Sequence, residues 1–343
     1  MLRKLLASPQ TGLVLIILGL GAALTFFAGS HEDRVTGAAV NNFLNAHTLI
    51  QTATDASFFA IMAVGATIVI ISGGIDLSVG SIYALAGVTM AMVLRNFSMT
   101  SSLGNVGLGL LLCVGVGLLC GFINGLLVVS LRVHPFIVTL GTMWILRGIA
   151  FVSSKAESIL VPEALTGLMK ASLGLGESLY PIPMLAMLMV AVCGAVYLTQ
   201  TVMGRHVFAF GGNPEASRFS GLSLGRIQIG VFVISGLCAG LAAFLGASFY
   251  GSASCADAAG YELYVIASAV VGGASLSGGK GSAISGMLGA VLIVLIRQAI
   301  RTLRFDQNYE WIIVGCAIIV AVVLDQGNSE LAARRQSGAA ARG

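Results

Sequence analysis

The stretch "ISGGIDLSVGS", residues 71–81, decides the fold. It lies between "FFAIMAVGATIVI" (58–70) and "IYALAGVTMAMVL" (82–94), two runs apolar enough for bilayer helices. An ionised side chain at the centre of a bilayer helix costs at least about 2.5 kcal/mol. Asp76 is therefore either a structural device or part of a working site. As a device, it caps a helix beginning at Leu77 and accepts backbone N–H groups near Ser78 and Val79. Gly73 and Gly74 would free the backbone for the break. As a working group, Asp76 would line a solute path together with Ser78. The two readings are compatible, because a helix broken at membrane depth survives only where protein or a cavity surrounds it.

Composition supports a bilayer setting. The chain has 343 residues, 57% hydrophobic and only 9% charged, with a mean hydropathy of +0.96. Soluble domains carry about 25% charged residues, so this chain cannot build a water-facing surface all round. Its 45 glycines suit close helix packing and interrupted helices. The first run, "TGLVLIILGLGAALTFFAG" (11–29), is long for a signal-peptide core, and "AGSHE" (28–32) offers no small-residue cleavage site. It reads as a retained span. The six cysteines form no CxxC pair and the four histidines have no ligand spacing, so no metal site is expected.

The expected fold is an all-α integral membrane protein of about ten spans, near 11–29, 52–72, 77–94, 106–130, 136–153, 182–200, 227–249, 262–274, 282–300 and 309–325. The eighth is too short to cross alone, so it is either re-entrant or extended through neighbouring loop residues. Residues 1–326 form one transmembrane domain, and 327–343 a disordered tail. Lys and Arg concentrate on one side if both termini are cytoplasmic. An internal echo links "GGIDLS" (73–78) to "GGASLS" (272–277), each between apolar runs. On that match Gly272 and Gly273 correspond to Gly73 and Gly74, and Ser275 to Asp76.

The inner connection, 201–226, reads as a loop holding one short helix. Gly211-Gly212-Asn213-Pro214 is a turn signal, with Asn213 as cap and Pro214 at the first helical position. Glu215 suits the helix dipole, and Gly221 suits the end of a helix over 214–220.

Here the residues carry a resemblance. "Glu-Ala-Ser-x-x-x-Gly" (215–221) resembles the EAA signature of ABC transporter permeases, with Ser217 in place of alanine and the later Ile-x-Leu-Pro part absent. "AVGATIVIISGGIDLSVGSIYALAG" (63–87), "GRHVFAFGGNPEASRFSGLSL" (204–224) and "AGYELYVIASAVVGGASLSGGKGS" (259–282) appear in matching order. Together they resemble the sugar-uptake permeases of bacterial ABC importers, the ribose, xylose, galactose and autoinducer-2 group. The likeness runs over roughly residues 10–326.

The resemblance implies a multi-pass protein of the bacterial inner membrane that works by alternating access. It implies a second permease copy or sister chain, an ABC ATPase subunit or fused double-ATPase protein, and a periplasmic sugar-binding protein. The coupling segment would comprise Arg205, Gly212, Asn213, Glu215, Ala216, Ser217, Arg218 and Gly221. No cofactor and no nucleic acid is implied, and ATP would be bound by the partner. "ASLSGGKGS" (274–282) misses the phosphate-loop pattern at Ala274 and Gly281, so ATP binding by this chain is rejected.

Asp55, Asn124 and Glu262 are further polar residues near spans. Each either lines the solute path or serves as interhelical packing glue. One rival reading is an ion-coupled secondary transporter using Asp76 and Asp55. A membrane-embedded enzyme is the other, and no catalytic constellation supports it.

Overall fold

The computed structural model describes residues 9–32, 37–97, 101–174, 179–316, 319, 320 and 323. Among the described residues, eight helices are long and apolar enough to cross a membrane. They are α1 (Pro9–Phe27), α2 (Ala46–Ile71), α3 (Val79–Asn96), α4 (Ser102–Leu131), α5 (Pro135–Ser154), α7 (Ile182–Gln200), α10 (Leu224–Tyr250) and α12 (Ala283–Thr302). Shorter helices intervene: α6 (Glu163–Met169), α8 (Val202–Gly212), α9 (Pro214–Phe219) and α11 (Tyr261–Val271). Eight of the ten expected spans thus appear, with their ends shifted by at most six residues. The expected eighth span is α11, only 11 residues long, or about 16 Å at 1.5 Å per residue, roughly half of the hydrocarbon core. For the tenth, residues 309–316 are helical. The rest of that span is only partly described, and the expected tail 327–343 lies outside the described residues.

Local chemistry sets the helix starts. Asn45 accepts the Thr48 N–H at 2.8 Å, and Ser101 accepts that of Gly104 at 3.0 Å. Pro135 occupies the first turn of α5 behind His134. Asn45 and Ser101 each satisfy an N–H that the helix itself leaves free, and Pro135 has none to satisfy. On the periphery, β1 (Ser30–Glu32) pairs with β2 (Ala39–Asn41), and β3 (Ile159–Leu160) with β4 (Ser252–Ala253).

Helix α2 is the central post, buried without interruption from Ala56 to Ser72. Helices α10, α12, α7 and α11 pack around it. The closest pair is α4 with α10. Gly117, Gly121 and Gly125 stand four apart on α4 and face Phe232, Gly236 and Ile229 of α10. A Cβ at Gly117 would overlap the Gly236 carbonyl, and one at Gly121 the Phe232 carbonyl. Lipid tails are as apolar as leucine, so such backbone contact, rather than exclusion of water, holds these helices together.

Candidate functional site

Both expected breaks are present. Helix α2 ends in a turn where Gly73 N–H donates to Ile70 O (2.8 Å) and Gly74 N–H to Val69 O (3.0 Å). Helix α11 ends the same way, with Gly273 N–H to Val270 O (2.8 Å) and Ala274 N–H to Ala269 O (2.9 Å). These paired bonds define a Schellman ending, which needs a left-handed residue just past the cap. Gly73 has φ +83° and Gly273 φ +89°, a conformation that costs glycine nothing.

The geometry shifts the sequence echo by one residue. Gly73 matches Gly273, Gly74 matches Ala274, and Ser275 stands where Ile75 does, not where Asp76 does. The shared feature is the helix ending, whose register is set by hydrogen bonds rather than by the Gly-Gly letters. Gly272 plays a separate part, lying so close to the Ser285 carbonyl of α12 that no Cβ fits.

The two breaks lie at one end of the bundle, where Gly279 N–H donates to Ile71 O at 2.8 Å. Against this bond lies the end of α8. A Cβ at Gly211 would overlap the Ile71 carbonyl and stand 2.7 Å from Gly279 N. One at Gly278 would stand 2.6 Å from Gly211 O. Backbone from both breaks and from α8 thus meets at a glycine junction. The sequence reading missed α8, taking 201–212 for loop and Gly211-Gly212 for a turn. Thr201 caps this helix by accepting the Gly204 N–H at 3.0 Å. Gly211 is there for close approach, and neither terminal glycine breaks the helix. Arg205 is exposed on α8.

From the junction the chain passes directly into α9. Asn213 caps it, accepting the Ala216 N–H at 2.9 Å. Gly221, at φ +80°, closes it with a third Schellman ending: Gly221 N–H to Arg218 O and Leu222 N–H to Ser217 O. The helix is one residue shorter at its end than the expected 214–220, because Ser220 is already the cap. Gly212, Asn213, Glu215, Ala216 and Arg218 are exposed, while Ser217 is buried. Phe219 is 90% exposed, a feature the sequence reading overlooked.

Asp76 is only 1% exposed. Its Oδ1 accepts Ser78 N–H (2.9 Å) and Ser78 O–H (2.6 Å), and its Oδ2 accepts Ser235 O–H (2.8 Å). Asn124 Nδ2 then donates to Ser78 Oγ at 2.7 Å. The carboxylate therefore ties the start of α3 to α4 and α10, and α3 starts at Val79 rather than Leu77. Ser235 lies about 16 Å along α10 from Leu224, near the middle of that 27-residue helix. Among the described residues no Lys or Arg forms an ion pair with Asp76. Ser235 sits in an apolar stretch, and no local pattern marked it.

Glu262 opens α11 beside Gly80, where a Cβ would stand 2.7 Å from its Oε2 and 2.5 Å from Ala258 O. Arg147 of α5 holds the segment before α11, donating to Cys255 O (2.7 Å), Asp257 O (2.6 Å) and Ala258 O (3.3 Å). Asp55 faces the opposite end of the bundle from α9, where its Oδ1 accepts from Gln51 Nε2 at 3.0 Å. Ser275 is buried in the second break. The structure thus brings Asp76, Ser78 and Asn124 together and leaves Asp55, Glu262 and Ser275 at three separate places.

Comparison with known proteins bears on these features. Residues 48–322 match the family described as branched-chain amino acid transport system / permease component. The chain belongs to this permease family. The ribose import permease protein of Haemophilus influenzae is 37% identical over 288 residues, 84% of this chain and 85% of that protein. The D-allose transport system permease protein of Escherichia coli is 35% identical, covering 83% and 85%. The fructose import permease protein of Rhizobium meliloti is 30% identical, covering 85% and 81%. The match spans both breaks, the glycine junction and α9. The permease is a multi-pass membrane transport component and not an enzyme.

Proposed function

We propose that this permease is the membrane subunit of an ATP-driven, binding-protein-dependent ABC importer of a neutral monosaccharide in the bacterial inner membrane. The relatives named for ribose, allose and fructose import support the solute class. The observation that carries the mechanism is the glycine junction. Helix α9, with Phe219, Glu215 and Arg218 exposed, presents a docking knob to an ATPase subunit or fused double-ATPase protein. It hangs from Gly211-Gly212, whose backbone abuts both helix breaks. Movement of α9 by the closing ATPase therefore reaches α2, α11 and α12 through backbone contact, with no soft side chain between. Alternating access follows from rocking these helices about their breaks. A second permease copy or sister chain completes the pathway, and a periplasmic binding protein delivers the sugar at the end opposite α9.

Proteoliposomes holding the permease, its ATPase and its binding protein provide the test. Uptake of labelled ribose, allose or fructose should require both partners and ATP. Sugar uptake by the permease alone, driven by an ion gradient, would overturn the reading and favour a secondary transporter.

A further inference from the structure

At the end of the bundle opposite α9, a recess of about 70 Å³ opens between the ends of α2, α10 and α12 and the start of α11. Its chemistry comes from Asp55, Phe59, Tyr250, Tyr261, Gln298 and Arg301. Resting on the monosaccharide reading above, we infer that this recess is a weak receiving site for one hydroxyl-bearing edge of the sugar.

Charge balance selects the ligand class. Arg297 pairs with Glu310 at 2.8 Å and also lies over the Phe59 ring at 5.2 Å. Arg301 faces Asp55 at 3.6 Å. Each cation has its carboxylate, so neither a free anion nor a free cation finds an uncompensated partner. A neutral solute does not disturb that balance.

Hydrogen-bonding capacity selects hydroxyls. A carboxylate offers about four lone-pair positions. Asp55 has one firm bond, from Gln51 at 3.0 Å, while its contacts to Tyr250 Oη (3.5 Å) and Arg301 (3.6 Å) are long. Beside it stand the donors of Arg301 and Gln298, so a vicinal diol meets acceptor and donors together. Rings supply the other half of the recognition. Phe59 and Tyr261 stack with centroids 4.3 Å apart. Tyr250 also lines the recess and is 59% exposed, so its ring is accessible to the C–H side of a sugar.

Size sets the affinity. A pocket that encloses a whole small molecule measures about 300–1,000 Å³, so a recess of about 70 Å³ takes one edge of the sugar and not a whole ring. The sugar would dock by its edge, be held briefly and move on, which suits a station between a binding protein and the pathway.

Saturation-transfer NMR with D-ribose on the permease–ATPase complex in nanodiscs, without binding protein, tests the site. It is paired with receptor-driven uptake and ATP hydrolysis by the full system. Wild type should show saturation transfer at millimolar ribose. Asp55→Asn and Tyr250→Ala should lower both transfer and uptake about fivefold, the equivalent of one lost hydrogen bond, while ATP hydrolysis stays within about twofold. Gln298→Ala, a milder change on α12, should act in the same direction and guards against a folding defect in the others. Absence of saturation transfer in wild type overturns the inference, as does normal uptake in all three variants; the monosaccharide reading then stands. Failure of the wild-type system to take up any sugar removes both.

Discussion

Gly211→Ala is the sharpest probe of the glycine junction. The added methyl would overlap the Ile71 carbonyl and sit 2.7 Å from Gly279 N, on top of the Gly279 N–H to Ile71 O bond of 2.8 Å. All the obstructing atoms are backbone, so no rotamer change relieves the contact. Overpacking of this kind costs about 1–3 kcal/mol, and loss of the hydrogen bond about 1 kcal/mol more. The sum, roughly 2–4 kcal/mol, falls on the contact between α8 and the two breaks. Gly212→Ala is the matched control. Its Cβ would meet only Gly279 Cα at 4.0 Å, and alanine is favoured over glycine in a helix by about 1 kcal/mol. The assay is sugar taken up per ATP hydrolysed in proteoliposomes, with the thermal unfolding midpoint of the purified complex. Gly211→Ala should lower the ratio at least about tenfold, the effect of 1.4 kcal/mol or more, and lower the midpoint. Gly212→Ala should keep the wild-type ratio and should not lower the midpoint. Equal behaviour of the two variants, whether both harmless or both damaging, would refute the linkage through Gly211.

Four further outcomes are expected. Asp76→Asn keeps an acceptor for Ser78, and its new amide can donate to Ser235, so thermal stability should fall by no more than about 1 kcal/mol. Asp76→Ala forfeits all three bonds and should cost about 2–4 kcal/mol by the same measure, read from the difference in unfolding midpoints. Glu215→Lys should leave the permease in the membrane but weaken its co-purification with the ATPase about tenfold or more, because it reverses a charge on the exposed face of α9; unchanged recovery would contradict that docking face. Arg147→Gln strips most of the donors holding Cys255 O, Asp257 O and Ala258 O, so protease cleavage within 251–260 should quicken and uptake should drop; an unaltered digestion pattern would show that this segment holds itself.

Much of the fold was legible because membrane insertion is a composition problem. Each long apolar run had to become a helix, since only helices satisfy their own backbone in lipid. The positions of most spans, the shortness of α11, both breaks and the caps at Asn213 and Gly221 all followed from local residue chemistry. Helix α8 was missed because its Gly-Gly end reads locally as a turn, and only the carbonyl of Ile71 explains why no side chain is allowed there. Phe219 was missed because exposure is invisible in an apolar letter. Ser235 was missed because a serine in a membrane run usually bonds its own helix.

By itself the sequence determined that this chain lies in a membrane, where it breaks, and how each break is capped, because those outcomes depend on residues within a few positions of one another. The tertiary structure decided which distant backbones meet: Gly211 with Ile71 and Gly279, Asp76 with Ser235, and Arg147 with the segment before α11. It also corrected the register of the internal echo, pairing Gly73 with Gly273 through matching helix endings rather than matching letters. Those pairings rest on close packing between elements far apart in the chain, and no local pattern encodes them.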